Sequence, residues 1–240
     1  MPADEEDLAR GLTREAVAAA AYAAVRACAV TLRPDVRAAL EAARAAEGPE
    51  SRGAAVLDRI LENAAIGAAD AVPICQDTGT VWACLEVGRE LLVPGNVLDG
   101  VDDAVARAYR DGALRMSVLA DALLDRVNTG DNTPAFTELR LVPGRGATLH
   151  VMLKGGGSDN ASRVVMLAPG AGRDGVREAV LDCVREKAAN ACPPLIIGVG
   201  VGATFDRVAS LAKHALLRPV GAPAASDGAA AFEAELLEAI

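Results

Sequence analysis

Hydrophobic residues recur with a helical period along the first third of the chain. The stretch from Leu12 to Thr31 is rich in alanine, and Thr13 is a suitable N-cap at its start. Pro34 fits the first turn of a second helix over 34–46, and Ser51 can cap a third helix over 52–65. The buried stripe of this third helix is predicted to consist of Val56, Leu57, Ile60 and Leu61. Residues 1–70 are therefore predicted to be a helical subregion.

Beyond residue 70, short apolar runs alternate with polar, glycine-rich stretches. Residues 81–87 predict a strand that turns back into a short partner at 91–93. Two more predicted strands, over 136–142 and 147–153, flank the turn sequence Pro143-Gly144-Arg145-Gly146 and suggest a hairpin. Helices are predicted over 101–124, 174–191, 204–217 and 229–240, and the apolar run 195–201 predicts a buried strand.

This order of elements favours an α+β fold in a single domain covering residues 1–240. A helical N-terminal third would pack on a small mixed, largely antiparallel sheet, with further helices after it. Hydrophobic residues make up 52% of the chain, which is typical of a globular protein. Only three Phe, two Tyr and one Trp are present, so the core must consist mainly of Ala, Val and Leu.

Charge and composition narrow the function classes. A net charge of -9 and few aromatic residues argue against nucleic-acid binding, which needs clustered Lys and Arg or stacking platforms. No apolar run of membrane-spanning length is evident, and the acidic start from Met1 to Glu6 is unlike a signal peptide. We therefore expect a cytoplasmic protein without a membrane partner. Five cysteines without a CxxC pair do not describe a disulfide framework.

Two of the cysteines lie where a metal ligand would be expected. Cys75 follows Pro73-Ile74 and opens the polar stretch Cys75-Gln76-Asp77-Thr78-Gly79, and Cys192 precedes Pro193-Pro194. A loop restricted by proline orients a thiolate in advance, as a metal site requires. A structural role for both thiols remains equally open on this reasoning alone. The other cysteines, Cys28, Cys84 and Cys183, lie inside predicted helices or strands and are expected to be buried core residues.

Two further features suggest anion binding. The run Lys154-Gly155-Gly156-Gly157-Ser158 would present backbone amides to a carboxylate, although a plain flexible turn is the alternative. Arg115, expected on a helix, could clamp a carboxylate with its guanidinium or could be an ordinary surface charge. Gly198-Val199-Gly200-Val201-Gly202-Ala203 matches the dinucleotide-binding pattern, but no strand with an acidic residue follows it. Close packing of that segment on a helix is the favoured interpretation.

Taken together, these motifs resemble the α subunit, or N-terminal domain, of the class I fumarases and the related tartrate dehydratases. The resemblance extends over essentially the whole chain. Its motifs occur in the family's order: 75–79, Asn128-Thr129-Gly130-Asp131-Asn132, 154–158, Ala191-Cys192-Pro193-Pro194 and 212–219.

The resemblance implies a hydro-lyase with a [4Fe–4S] cluster that leaves one iron open to a 2-hydroxy diacid. It implies that Cys75 and Cys192 are two cluster ligands. Gln76, Asp77 and Arg115 would be catalytic and would bind substrate together with Gly155, Gly156 and Gly157. Lys154 and Ser158 favour fumarate and malate, because tartrate dehydratases tend to vary both positions; a tartrate dehydratase α subunit is the alternative.

In the family, the α portion continues through a histidine-bearing segment to a third cluster cysteine, which has no counterpart before Ile240. Two explanations follow: the chain is a truncated or separately encoded piece whose completing segment lies elsewhere, or it has lost the cluster and is a binding or assembly subunit that keeps the fold. A β subunit is expected to supply further substrate contacts and the proton-transfer group, which implies an oligomer. This chain alone is not expected to turn over substrate.

Overall fold

A computed structural model of the protein describes residues 12–240, and its first third is helical as predicted. Helix α1 spans Arg14–Val30, α2 spans Pro34–Ala46 and α3 spans Arg52–Asp70. Thr13 Oγ1 accepts a hydrogen bond from the Ala16 amide at 3.1 Å, and Ser51 Oγ accepts from Ala54 at 2.9 Å. These contacts confirm both predicted N-caps. The acidic start, Met1 to Glu6, lies outside the described residues.

The buried face of α3 differs from the predicted stripe. Val56 is 56% exposed, whereas the buried residues of this helix are Ala54, Ala64 and Gly67. A Cβ on Gly67 would lie 3.2 Å from the carbonyl oxygen of Val30, so α3 approaches its neighbours through its smallest residues. Close backbone approach, rather than side-chain size, selects the buried face.

A three-stranded sheet lies at the centre of the first half of the chain. Strands β1 (Thr80–Gly88), β2 (Phe136–Val142) and β3 (Ala147–Lys154) are arranged in the order β2-β1-β3. Strand β1 is parallel to β2 and antiparallel to β3. The α+β class is confirmed, and the sheet is mixed, with one pairing of each kind rather than largely antiparallel.

Both predicted hairpins are wrong. Residues 91–93 form no strand, and β2 and β3 do not pair with each other because β1 lies between them. Nearly every residue of β1 is buried, and such a strand takes the central position of a sheet. The β2–β3 connection therefore passes over the end of β1, where the Gly88 amide donates to Gly146 O at 2.7 Å and a Cβ on Gly88 would overlap the Gly144 carbonyl.

Helices α1 and α4 (Val101–Asp111) cover one face of the sheet and enclose the main core. The predicted helix over 101–124 is wrong beyond Asp111. It ends at Gly112, Ala113 has a positive φ of 49°, and the Leu114 amide donates to Tyr109 O at 2.9 Å. The core consists of small and β-branched residues with one aromatic, among them Val17, Ala21, Val25, Val81, Leu85, Val87, Val101, Val105 and Tyr109.

The described residues divide into two compact units. The first comprises residues 12–33 and 44–155 and contains the sheet; the second comprises 34–43 and 156–240. The second unit contains most of α2 together with α5 (Gly156–Asn160), α6 (Gly172–Lys187), α7 (Phe205–Ala215) and α8 (Asp227–Ala239). A single domain over residues 1–240 stays a prediction.

The stretch Arg14–Ala46 is long and apolar enough to cross a membrane by composition alone, contrary to the reading that no such run exists. Its first part, α1, buries Val17, Ala21, Val25 and Ala29 in the core of the first unit. An extended residue, Thr31, then separates α1 from α2. Helix α1 therefore contributes one buried face to this core.

Candidate active site

Three polar loops meet at one end of the sheet in the first unit. Residues 75–79 lead directly into β1, residues 128–134 lead into β2, and the glycine run begins where β3 ends. Because β1 is parallel to β2 and antiparallel to β3, the two strand starts and this strand end lie together. The register confirms it, since Thr80 pairs with Lys154 and Trp82 with Phe136.

The first half of the 75–79 loop is anchored through the residue before it. The Ile74 amide donates to Ala29 O at 3.0 Å, and Asn63 Nδ2 donates to Ile74 O at 2.8 Å. Cys75 and Gln76 then lie exposed, with 3.6 Å between Cys75 Sγ and Gln76 Oε1. The backbone is therefore fixed while the thiol and the amide face solvent.

The second half of the loop is held by buried groups. Tyr109 is fully buried, and its hydroxyl lies 3.1 Å from Thr78 O and 3.0 Å from Gly79 O as a donor to these carbonyls. Burial raises the pKa of Tyr109 to about 12, so the phenol keeps its proton and can donate it to these carbonyls. Asp77 Oδ1 accepts from the Gly79 amide at 3.1 Å, which closes a tight turn.

Asn132 is a second buried anchor. Its Nδ2 donates to Gly79 O at 3.0 Å, and its Oδ1 accepts from the amides of Ser117 at 2.8 Å and Val118 at 3.2 Å. The side chain has no exposed surface. One carboxamide therefore ties the 75–79 loop, the segment after α4 and the 128–134 loop together.

Arg115 lies in the irregular segment after α4, so its predicted position on a helix is wrong. Thr78 Oγ1 donates to Arg115 O at 2.9 Å, which fixes its backbone beside the 75–79 loop. Its side chain is exposed, and within residues 12–240 the guanidinium has no ion-pair partner. A fixed backbone with an exposed guanidinium suits the capture of a carboxylate from solution.

Two glycines allow the loops to touch. Gly79 has a φ of +66°, and a Cβ there would overlap the Lys154 carbonyl. A Cβ on Gly155 would lie 3.2 Å from Asp77 Oδ2. The structure therefore brings Gly155 and the backbone of Arg115 against the 75–79 loop, with Gly155 beside Asp77.

In the second unit, the rest of the glycine run packs against the turn that precedes Cys192. Gly156 and Gly157 open the short helix α5, and a Cβ on Gly157 would lie 2.7 Å from Asn190 O. Residues Ala188–Ala191 form a 3₁₀ turn, after which Cys192 adopts a left-handed conformation with φ 58° and is exposed. Within this unit, Gly157 and the Cys192 turn are therefore neighbours.

The other cysteines differ from this pair. Cys84 is fully buried, and burial raises its pKa to about 11; Cys183 is half-buried and its Sγ donates to Ala161 O at 3.3 Å. Cys28 is exposed, contrary to the prediction, although partial burial of its sulfur raises its pKa against the lowering effect of Arg33. Cys75 in the first unit and Cys192 in the second each have an exposed thiol in a loop or turn.

The apolar run 195–201 forms no strand, which corrects the predicted buried strand, and Ile196 and Val201 are 49% and 60% exposed. Its glycines lie directly on α7, since a Cβ on Gly200 would be 2.5 Å from Val208 O. This contact supports the interpretation of these glycines as packing residues. On the same helix, Lys213 Nζ lies 3.9 Å from Asp159 Oδ1 in α5.

Comparison with known proteins identifies the group to which these loops belong. The sequence model described as "Fumarate hydratase (Fumerase)" matches residues 18–240. The chain belongs to the fumarate hydratase family. A curated relative from Methanocaldococcus jannaschii, a putative L(+)-tartrate dehydratase subunit alpha, is 32% identical over 222 residues, which is 90% of this chain and 77% of the relative.

Bacterial members of the same group are similar over a shorter stretch. The L(+)-tartrate dehydratase subunit alpha of Escherichia coli strain UTI89 is 33% identical over 172 residues, which is 70% of this Fumerase-family chain but only 56% of the relative. The chain thus spans little more than half of that protein. The suspected family relation is confirmed, and the family and its relatives are hydro-lyases, in agreement with the predicted enzyme class.

The residues present fit two thiolate ligands of an iron–sulfur cluster. Cys75 and Cys192 are both exposed; hydrogen bonds at Ile74 hold the backbone before Cys75, and Cys192 has a left-handed φ of 58°. A soft thiolate is the ligand that such clusters use. The chemistry of each thiol therefore agrees with the expected cofactor.

The sequence predicted the exposed residues of this Fumerase-family site but not the buried residues that hold its loops in place. Tyr109, Thr78 and Asn132 were assigned no role. Asn132 belongs to the polar stretch before β2, and Tyr109 is one of only two tyrosines, in an otherwise apolar helix face. An isolated polar group on a buried face is the signal that points to such anchors.

Proposed function

We propose that this chain is the α subunit of a cytoplasmic, [4Fe–4S]-dependent hydro-lyase that interconverts fumarate and malate together with a β subunit. The convergence of the 75–79 loop, Arg115 and Gly155 at one sheet end carries the proposal. The segments that meet there carry an exposed thiol, a carboxylate, an amide and a guanidinium, which would face the substrate. A diacid needs such a combination of cationic and polar groups.

Cys75 and Cys192 would hold the cluster, with a third ligand from outside residues 1–240. When bound, the cluster supplies a Lewis acid for the hydroxyl group that is added or removed. Family membership supports this assignment, as do the exposed thiols.

The chain's own residues bind and orient the diacid. Arg115 would form a charge-assisted, two-pronged contact with one carboxylate, and the loop of Gly155, Gly156 and Gly157 would contact the other. Gln76 and Asp77, held by the tight turn at Gly79, would orient the hydroxyl group or the water to be added. The group that removes the neighbouring C–H proton is expected from the β subunit.

L(+)-Tartrate is the second candidate substrate. The curated relatives are named tartrate dehydratase subunits, which favours tartrate, whereas Lys154 and Ser158 favour fumarate. Both compounds are 2-hydroxy diacids or their dehydration products, so the same carboxylate contacts serve both.

The test is anaerobic co-production of the chain with the β subunit, followed by iron and sulfide analysis and nuclear magnetic resonance of the products. The expected result is a brown complex that converts malate to fumarate and back. If the complex converts tartrate but neither malate nor fumarate, tartrate is the substrate instead of fumarate. A complex with neither cluster absorbance nor turnover of any diacid would contradict the proposal and favour the cluster-free binding or assembly subunit.

The substitution Arg115→Lys tests whether Arg115 binds the substrate. Lysine keeps the charge but loses the planar fork, so KM for the diacid should rise about tenfold, the equivalent of about 1.4 kcal/mol. Arg126→Gln, which removes an exposed guanidinium from a neighbouring loop, is the matched control and should leave KM unchanged. Equal KM values for wild type and Arg115→Lys would remove Arg115 from the substrate site.

A further inference from the structure

The side chain of Asn132 is fully buried and forms hydrogen bonds with two other segments of the first unit. We propose that Asn132 is a positioning residue, which sets the 75–79 loop against the segment that carries Arg115. The inference rests on the proposed function, because it concerns how the substrate-binding groups of that site are aligned. Asn132 itself has no exposed surface and does not reach substrate.

The carboxamide uses its donor and its acceptor in opposite directions. Nδ2 donates to Gly79 O at 3.0 Å, while Oδ1 accepts from the amides of Ser117 at 2.8 Å and Val118 at 3.2 Å. The two amides follow Arg115 by two and three residues. Because the group is planar and rigid, it fixes the distance between the two segments rather than merely filling space.

The backbone at Asn132 supports the same role. Its φ is +62°, a left-handed conformation that asparagine tolerates better than most residues. The preceding residue, Asp131, accepts from the Thr133 amide at 3.0 Å and its hydroxyl at 2.7 Å, and these bonds lower the pKa of Asp131. The loop is thus held on both sides of the asparagine, which keeps the carboxamide aimed inward.

A second contact links the same two segments. Thr78 Oγ1 donates to Arg115 O at 2.9 Å, next to the Gly79 carbonyl that Asn132 binds. Asp77 and Arg115 therefore each lie two residues from a group that Asn132 binds, Gly79 and Ser117 respectively. A displacement of about 1 Å between groups that bind one substrate can lower the rate about 100-fold.

The activity test uses the complex with the β subunit. Asn132→Ser should lower kcat/KM for the diacid about 100-fold. Val25→Ala, in the buried face of α1, is the control for lost stability, because Val25 is fully buried and belongs to a helix rather than to a loop of the site. The proposal predicts that Val25→Ala keeps its activity at a comparable fall in Tm. Equal losses of activity in the two variants would overturn it.

A carboxylate replacement gives a readout that depends on pH. In Asn132→Asp, a protonated carboxyl can donate to Gly79 O as the amide does, whereas the carboxylate cannot. The ratio of variant to wild-type kcat/KM should therefore rise as the pH falls. A ratio that is flat with pH would show that the donor to Gly79 does not matter and would overturn the proposal.

Hydrogen exchange of the full chain tests the same contact without turnover. In Asn132→Ser, the amides of Ser117 and Val118 should lose protection, while the amides of β1 keep theirs. Unchanged exchange at Ser117 and Val118 would overturn the positioning role. A wild-type complex that is inactive on every diacid would contradict the proposed function instead, and the exchange result would still decide whether Asn132 holds the two segments together.

Discussion

The two cysteine-bearing turns of this chain are held by different forces. The 75–79 loop is fixed by side-chain hydrogen bonds from buried Tyr109 and Asn132, on a unit with an extensive apolar core. The Cys192 turn is held mainly by close backbone packing of Gly157 on Asn190. Its unit has few buried apolar side chains: Leu40, Leu181, Ala191 and Leu236. The first turn is therefore preorganised by its own fold, and we expect the second to gain more order from a bound group.

The largest effect is expected from removing either thiol. Cys75→Ala and Cys192→Ala should each lower activity and iron content by more than about 100-fold, since second-shell changes alone reach that size. The measurements are iron analysis and diacid turnover of the complex. Cys28→Ala, which removes another exposed thiol, should keep both. A variant at 75 or 192 that retains its iron would exclude that thiol as a ligand.

The next largest effect concerns the stability of the first turn. Gly79→Ala should lower the free energy of unfolding by about 2–5 kcal/mol, because it adds an overlap with the Lys154 carbonyl to a strained left-handed backbone. Gly130→Ala is the matched control: its φ is +76°, but nothing lies within 4 Å of the added Cβ. Denaturant unfolding of both variants separates strain from overlap. Equal losses of unfolding free energy in the two variants would show that the close contact of Gly79 with β3 does not affect stability.

A smaller effect is expected in the second turn. Gly157→Ala should lower the free energy of unfolding by about 1–3 kcal/mol, since the added Cβ would lie 2.7 Å from Asn190 O. Gly170→Ala, in the same unit, meets nothing within 4 Å and should be close to neutral. Thermal unfolding with and without the cluster distinguishes the two turns, because the bound cluster should recover more of the loss at Gly157 than at Gly79. Greater recovery at Gly79 than at Gly157 would contradict the view that the first turn is the more preorganised of the two.

The smallest effect is a pH dependence confined to the first unit. Burial raises the pKa of Cys84 from 9.0 to about 11, so the folded state keeps a proton that the unfolded state releases. The stability from this thiol is complete below its unfolded pKa and is lost as the pH rises through the folded one. Between about pH 8 and about pH 10 the loss should be about 1 kcal/mol. Cys84→Ala should reduce the loss of stability over this pH range by about 1 kcal/mol in denaturant unfolding, and the raised pKa values of Tyr109 and Cys28 account for the remainder; a loss equal to that of the wild type would exclude Cys84 as a source.

Local signals in the sequence predicted much of the helical part, whereas contacts distant in sequence defeated the prediction of the sheet. Thr13 and Ser51 were identified as caps because a cap depends on a few neighbouring residues. The turn sequence at 143–146 predicted a hairpin, but the burial of β1 on both faces places it between β2 and β3. Periodicity alone does not reveal a strand inserted from elsewhere in the chain.

The candidate site divides in the same way. Its exposed groups, such as Cys75 and Asp77, belong to short polar motifs and were visible in the sequence. The roles of Tyr109 and Asn132 depend on hydrogen bonds to residues 30 and 53 positions away. The helix predicted for Arg115 also failed, because Gly112 ends α4 earlier than the apolar pattern suggested. Short sequence motifs therefore identify the exposed groups of the site, whereas only tertiary contacts reveal which buried residues hold those groups in place.

The central position of β1 also sets an order of events during synthesis. Both strands that flank β1 come later in the chain, and β3 ends at Lys154. The sheet therefore cannot close until roughly eighty further residues have left the ribosome after Cys75, because nonlocal strand pairing must wait for its partners. Until then the nascent Cys75 thiol has no anchored loop around it. Assembly of the site is expected to be a late event in the life of the chain, after the first unit has been fully translated.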